Sequence, residues 1–163
     1  MLEIRNARQE DIPVIQELTH RIWPVAYGEI LSPAQLEYML DLMYSTESLE
    51  HQVRSHQFMV LYDDEVPLGF ASYSKADISG NFRLHKIYVL PDQQGKGLGK
   101  FLLDHVMNEI KLNGAVQLEL NVNRFNKAKT FYQKLGFVVS REEDIDIGSG
   151  YFMNDYVMTK AIK

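Results

Sequence analysis

Hydrophobic positions recur with two different periods along the chain, and these periods predict an alternation of strands and helices. Alternating or short apolar runs predict strands at 2–7, 58–62, 66–75, 82–90, 116–122, 137–140 and 151–159. Apolar residues recur at helical spacing from Ile12 to Ile22, after a first turn rich in acidic residues. A first helix is therefore predicted to begin near Arg8 and to break at Trp23-Pro24.

Further helices are predicted at 32–42, 97–112 and 126–135, with another turn or more at 46–56. Ser32 and Pro33 combine a helix cap with a proline at the first helical position. Antiparallel hairpins surround central strand–helix–strand units, so the fold class is predicted as α+β, a mixed and largely antiparallel central sheet of about seven strands flanked by helices. No linker or repeat interrupts the pattern, and residues 1–163 are predicted to form a single domain.

Composition limits the function without identifying it. Hydrophobic residues make up 45% and charged residues 24% of the 163, and no apolar run approaches the length of a membrane span. The first residues have no signal-peptide pattern, which leads us to expect a cytoplasmic protein. The chain has no cysteine, which excludes a cysteinyl acyl-enzyme and a Cys-ligated metal site, and no metal is predicted.

Charge is distributed unevenly along the chain. Residues 1–81 carry a net charge of −8, residues 82–139 of +5 and residues 140–163 of −2. The basic segment suits an anionic cofactor, and the acidic segments favour a cationic partner over nucleic acid. An ordinary solvated surface is the alternative.

A glycine-rich loop lies between the predicted strand 82–90 and the predicted helix 97–112. Its candidate ligand-binding residues are Gln94, Gly95, Lys96, Gly97, Leu98, Gly99 and Lys100. Glycine tolerates positive φ, so this turn can point several backbone N–H groups at one anion beside a helix N-terminus. The spacing fits neither a P-loop nor the Gly-x-Gly-x-x-Gly dinucleotide motif. A phosphate or pyrophosphate ligand outside those two classes is therefore indicated.

Two motifs, in order along the chain, resemble those of the GNAT acyltransferase superfamily. Gln94-x-x-Gly97-x-Gly99 is similar to the pyrophosphate motif Gln/Arg-x-x-Gly-x-Gly. The segment from Asn126 to Phe137 resembles the second signature, Asn-x-x-Ala-x-x-Phe-Tyr-x-x-x-Gly-Phe. The resemblance implies a GNAT fold, acetyl-CoA as cofactor, and a pyrophosphate held by the seven loop residues.

The resemblance further implies that the backbone of Ile87, Tyr88 and Val89 pairs with the pantetheine arm as if the arm were another strand. That pairing requires this strand to part from the strand at 116–122. A plain internal strand is the alternative.

In the second motif, the resemblance implies cofactor contacts from Asn126, Lys129 and Tyr132. Asn126 is also a favoured helix cap, and the two roles stay open. The Tyr132 hydroxyl would protonate or hydrogen-bond the departing thiolate. A packed aromatic beside Phe131 is the alternative for Tyr132.

Many relatives place a catalytic glutamate where this chain has His85. Histidine can accept a proton near neutral pH, directly or through water, so His85 is the candidate general base. A satisfied core or surface histidine is the alternative.

Trp23, Tyr27 and Glu29 fall in the segment that usually builds the acceptor pocket of such enzymes. An aromatic and acidic lining would suit an ammonium group, whereas an aromatic core stripe is the alternative. The long helical insert and the ending 151–158 are similar to those of polyamine acetyltransferases.

The function predicted from the sequence is acetyl transfer from acetyl-CoA to a primary amine, a small cationic amine or polyamine, by direct attack in a ternary complex. A protein N-terminal acetyltransferase and a non-catalytic acyl-CoA-binding regulatory domain are the alternatives. The expected partner is a small-molecule amine, without nucleic acid or membrane, and a homodimer stays open.

Overall fold

The computed structural model describes residues 1–163, which form seven strands and five α-helices. The strands are β1 (Leu2–Ala7), β2 (Gln57–Asp63), β3 (Val66–Lys75), β4 (Asn81–Val89), β5 (Gln117–Asn123), β6 (Val138–Gly148) and β7 (Tyr151–Ala161). The helices are α1 (Ile12–Tyr27), α2 (Pro33–Tyr44), α3 (Thr46–Ser55), α4 (Leu98–Leu112) and α5 (Ala128–Lys134). None of these helices has the length and hydrophobicity needed to cross a membrane.

All seven strands belong to one sheet, in the order β1-β2-β3-β4-β5-β7-β6. β4 and β5 pair in parallel, whereas β1 with β2, β2 with β3, β5 with β7 and β6 with β7 pair antiparallel. The predicted α+β class with a mixed, largely antiparallel sheet is confirmed.

The chain divides into two compact units. One comprises Met1–Ser74 and His85–Val106, and the other comprises Lys75–Leu84 and Met107–Lys163. The single domain predicted for residues 1–163 stays a prediction.

In the first unit, the apolar stripe of α1 is buried, with Ile15, Leu18 and Ile22 at most 2% exposed. β2 and β3 are buried over most of their length, and Phe58 and Phe70 are among the largest core side chains. Burying such side chains is the main favourable term in folding this unit.

In the second unit, β5 shows the alternation of a half-buried strand. Leu118 and Leu120 are buried, whereas Glu119 and Asn121 lie on a partly exposed face. On that face Glu119 forms a salt bridge of 2.5 Å with Arg83.

The predicted break at Trp23-Pro24 is wrong, because α1 continues through Pro24 to Tyr27. A proline inside a helix costs about 3 kcal/mol or more. Ile22 and Trp23, next to the proline, are only 2% and 3% exposed. Full burial of side chains of this size contributes about 1.5–3 kcal/mol each, which is enough to keep the turn helical.

The strand predicted at 137–140 is too short, because β6 extends from Val138 to Gly148 instead of ending at Ser140. Its acidic residues are poor strand formers, which hid the strand in the sequence. The segment is held by pairing with β7, from Val138 opposite Thr159 to Gly148 opposite Tyr151.

The ladder between β4 and β5 is short. It runs from Asn81 opposite Gln117 to Leu84 opposite Leu120, although β4 continues to Val89. The segment predicted to pair with a pantetheine arm therefore lies beyond this ladder.

Candidate active site

The glycine-rich loop adopts a conformation that requires glycine. Gly95 and Gly97 have φ of +82° and +76°, in the left-handed region that other residues rarely enter. A Cβ at either position would meet no atom within 4 Å, so backbone conformation rather than crowding selects glycine there.

The same loop leads directly into α4, which begins at Leu98. The Phe101 N–H donates to the Gly97 carbonyl at 3.0 Å, which closes the first helical turn. The N–H groups before it have no partner within the helix, and they carry the positive end of its dipole. An exposed loop of this kind, ending at a helix N-terminus, fits a pyrophosphate group.

The two lysines of the loop are already engaged by neighbouring side chains. Lys96 Nζ donates to Gln93 Oε1 at 3.1 Å, and Lys100 Nζ lies 2.6 Å from Asp104 Oδ2. Both lysines are exposed, where ion pairs contribute little. The backbone is therefore the main candidate for anion binding in this loop.

The β4 segment from Ile87 to Val89 precedes the loop. Beside it, a Cβ at Gly69 of β3 would lie 2.4 Å from the Tyr88 carbonyl oxygen, so glycine there permits close approach of the strands. The Leu90 N–H donates to the Leu68 carbonyl at 2.9 Å and fixes the end of β4 against β3. Backbone pairing with a cofactor at Ile87–Val89 stays a prediction.

Two of the predicted acceptor residues lie in an aromatic cluster, which we define as Trp23, Tyr27, Tyr44, Phe70 and Tyr88. The Trp23 ring lies 4.8 Å from that of Tyr27, 5.3 Å from Tyr44 and 6.0 Å from Tyr88. The hydroxyls of Tyr27 and Tyr88 are 3.0 Å apart. The structure thus brings side chains from α1, α2, β3 and β4 together.

The three predicted acceptor residues differ in exposure. Trp23 is only 3% exposed, which favours a core role for its ring. Tyr27 is partly exposed, and Glu29 lies exposed in the turn after α1. Binding of an acceptor by these residues stays a prediction.

Next to the aromatic cluster lie three basic side chains, His56, His85 and Lys86, which we call the basic cluster. The rings of His56 and His85 stack with centroids 3.8 Å apart and planes 6° from parallel. His85 Nε2 is 2.7 Å from the Ser74 hydroxyl. Lys86 Nζ lies 4.5 Å from the centroid of the Tyr44 ring.

Burial shifts the pKa of two of these side chains, Lys86 and His56. It lowers the pKa of Lys86 to about 8. Burial and then the charge of Lys86 lower the pKa of His56, whose Nδ1 is buried without a hydrogen-bond partner. Both shifts favour neutral, proton-accepting side chains near neutral pH.

The residues of the second motif lie in and before α5. Asn126 stands two positions before Ala128, one fewer than in the Asn-x-x-Ala signature, and its Oδ1 accepts from the Ala128 N–H at 2.9 Å. This bond supports the first turn of α5, although Lys127 holds the N-cap position. Lys129 Nζ lies 4.3 Å from the Tyr156 ring centroid. The cofactor roles of Asn126 and Lys129 stay predictions.

Tyr132 is 7% exposed, and its ring makes edge contacts with Phe131 at 5.2 Å and Phe137 at 5.6 Å. Aromatic packing is thus observed, and it is compatible with a hydroxyl that acts in chemistry. Phe137 is 2% exposed and belongs to the core.

Sequence reasoning missed Tyr44, His56 and Lys86. The one local signal was Lys86 itself, because a lysine within a largely apolar strand is unusual. Its contacts come from the end of α2 and from the residue after α3, which no sequence periodicity relates to β4.

Comparison with known proteins agrees with this fold and loop. A sequence model of the acetyltransferase (GNAT) domain matches residues 29–153. The chain is 30% identical to the spermidine N(1)-acetyltransferase of Thermoplasma acidophilum, over 93% of this chain and 95% of that protein. It is 36% identical to the ribosomal protein bS18 alanine N-acetyltransferase of Haemophilus influenzae, over 42% and 44% of the two chains.

Among solved structures, the crystal structure of the PaiA N-acetyltransferase from Thermoplasma acidophilum in complex with coenzyme A superposes with a TM-score of 0.83 and 27% identity, over 99% of both chains. The chain therefore belongs to the GNAT family of acetyltransferases, and the resemblance seen in its two motifs is confirmed.

Proposed function

We propose that this GNAT enzyme acetylates the primary amine of a small cationic acceptor, with a polyamine such as spermidine as the leading candidate and acetyl-CoA as the donor. The observation that carries the donor is the exposed loop in which Gly95 and Gly97 adopt positive φ immediately before α4. The similarity to a spermidine N(1)-acetyltransferase over 93% of the chain supports the acceptor.

The cofactor would be held mainly by backbone groups. The loop from Gln94 to Lys100 would bind the pyrophosphate through its N–H groups, and Ile87–Val89 would pair with the pantetheine arm. Bound acetyl-CoA supplies an acetyl group activated as a thioester. Metal is not part of the proposal.

The chain's own residues would then manage charge and protons. Backbone N–H near Val89 would stabilise negative charge on the carbonyl oxygen. Tyr132, which holds the position of the motif's tyrosine, would donate a proton or hydrogen bond to the departing sulfur. A basic side chain on β4 would take the proton of the acceptor ammonium, a role that the sequence assigns to His85.

The cationic acceptor is supported by the charge of the chain. Residues 1–81 carry a net charge of −8 and would attract a polycation over several ångströms. Tyr27 offers a partly exposed ring to an ammonium group.

The test incubates the protein with acetyl-CoA and one amine at a time from a panel, and it measures the release of free thiol. The panel contains spermidine, a diamine, a neutral aromatic amine and peptides with free N-termini. Turnover should be highest with spermidine or another polyamine, and none should occur without an amine. If the protein binds acetyl-CoA but releases no thiol with any amine, it is a regulatory binding domain instead.

A protein N-terminal acetyltransferase is the second candidate, favoured by the similarity to the bS18 alanine enzyme. Acetylation of N-terminal peptides at least 100-fold more efficient than of any polyamine would establish this candidate and exclude the first.

A further inference from the structure

We propose that Lys86 is the group that takes the proton from the acceptor ammonium, and is thus a further catalytic residue of this enzyme. The inference rests on the proposed function, because it concerns the same acceptor site. It assigns the proton-accepting role to the residue next to His85 on the strand.

Lys86 lies on β4 close to the place where an arm bound from the glycine-rich loop would end. The glycine-rich loop follows β4, so an arm bound from that loop would run back along Val89 toward Ile87. Its thioester end would then lie one to three residues from Lys86, about 3 to 10 Å along a strand. A lysine side chain reaches the nearer part of that range.

The side chain of Lys86 points toward the aromatic cluster. Lys86 Nζ lies over the Tyr44 ring, and Tyr44 contacts Trp23 at 5.3 Å, which in turn contacts Tyr27 at 4.8 Å. The ammonium group of Lys86 therefore borders the aromatic cluster that contains two of the predicted acceptor residues.

The surroundings of Lys86 support the same assignment, because they contain no compensating acid. The titratable groups that lie near it are Tyr44 from α2 and His56 after α3. Lys86 makes no salt bridge, and burial raises the pKa of Tyr44 well above its usual value, so that phenol stays neutral. With a pKa of about 8, Lys86 is substantially neutral slightly above neutral pH.

His85 is less suited to the same task. Its Nε2 is engaged with the Ser74 hydroxyl at 2.7 Å, and one face of its ring is covered by His56. His56 lies near Lys86 and supplies no negative charge to it.

The proton balance of the step is complete. The neutral Lys86 amine takes one proton from the acceptor ammonium and frees the lone pair of that nitrogen for C–N bond formation. As the C–S bond breaks, the second proton of the nitrogen goes to the departing sulfur, and Lys86 releases its own proton to solvent. The products are the amide, a free thiol and one proton.

Two variants separate a base from a fixed charge. Lys86→Met keeps the length of the side chain without a titratable group, and Lys86→Arg keeps the charge but cannot lose it near neutral pH. We expect both to lower kcat/KM for the best ammonium acceptor by roughly 10²- to 10⁴-fold at pH 7, with a smaller loss as pH rises. Coenzyme A affinity, measured on the same samples, should stay unchanged, and the Tm of Lys86→Met should not fall, because the variant no longer buries a titratable amine.

Near-normal activity of either variant would overturn the proposal. In Lys86→Arg it would show that charge alone suffices, and in Lys86→Met it would show that no titratable group is needed there. O-benzylhydroxylamine, whose nitrogen is unprotonated at pH 7, is the matched acceptor and should lose much less activity in both variants. If wild-type enzyme acetylates no amine at all, the proposed function fails and not merely the assignment of Lys86.

A measurement on the wild-type protein without any cofactor gives an independent readout. Modification by an amine-reactive reagent, followed by peptide mass spectrometry, gives the rate for each lysine as a function of pH. Relative to its own plateau, Lys86 should reach half-maximal rate near pH 8. A midpoint near that of exposed lysines, about 10.4, would contradict the proposal even if the variants fail to fold.

Discussion

Replacement of Gly97 by alanine tests whether loop conformation carries cofactor binding. Gly97 has φ of +76°, and a Cβ there would meet no atom within 4 Å. The change therefore adds strain without a clash, at about 1–2 kcal/mol for a residue with a side chain in the left-handed region. Because the loop is exposed, it can relax, and the ligand must then restore the conformation. A cost of that size corresponds to a rise in Kd of roughly 5- to 30-fold.

Gly114 provides a matched control in the turn after α4. Its φ is +83° and a Cβ there would also meet nothing within 4 Å. Gly114→Ala should therefore carry the same strain without touching the loop. A cost of 1–2 kcal/mol in a protein of this size lowers Tm by about 2–8 °C. Its Kd for coenzyme A should stay within twofold of wild type.

Calorimetric titration with coenzyme A at fixed salt measures both variants, and Gly97→Val, with its branched Cβ, should bind more weakly still. Backbone-dominated binding is refuted if Gly97→Ala and Gly97→Val both bind coenzyme A as tightly as Gly114→Ala does. The loop would then be an ordinary turn, and the donor site would have to be sought elsewhere.

Three further outcomes are expected. Tyr132→Phe should lower kcat by roughly 10- to 1000-fold with little change in Tm, since the ring contacts survive, and parallel loss of stability and activity would indicate a packing role. Lys96→Ala should weaken coenzyme A binding only mildly, with a difference that disappears in high salt, and a loss as large as that of Gly97→Ala would refute backbone-dominated binding. Burial raises the pKa of Asp155, so its ionisation costs stability as pH rises through that pKa. The Tm of Asp155→Asn should therefore gain on that of wild type as pH rises from the usual carboxyl pKa through the raised one, and a difference in Tm that stays constant over this rise would contradict the prediction.

The sequence predicts those parts of the fold whose cause is local. β5 was recognisable because Leu118, Leu120 and Val122 alternate with polar residues, and one side of the strand is buried. β6 was largely missed because its acidic residues become a strand only through pairing with β7. The break at Pro24 was wrong because the cost of proline is local, whereas the burial that outweighs it is tertiary.

The candidate site likewise combines features with a local cause and features that arise only from tertiary packing. The conformations of Gly95 and Gly97 are backbone properties, so the glycine spacing alone identifies the loop. Trp23 and Tyr27 share one helix and lie four residues apart, which brings them together on one face. The basic cluster combines side chains that begin on β4 and after α3, and only the folded chain shows that burial lowers the pKa of Lys86.

The net charge of residues 1–81 bears on how the acceptor is attracted, whereas the charges nearest the proposed site bear on its reactivity. The acidic residues of segment 1–81 sum to a field that attracts polycations over a distance comparable with the Debye length, about 8 Å at physiological salt. Reactivity depends on the nearest groups instead, and those beside Ile87 are basic and lack a compensating acid. A polyamine would satisfy both conditions, because its distant ammonium groups would meet the acidic surface while its reacting nitrogen would meet Lys86. Raising the ionic strength should then raise KM for the polyamine and leave the pH dependence set by Lys86 in place, because a partly buried group is screened far less than a surface field.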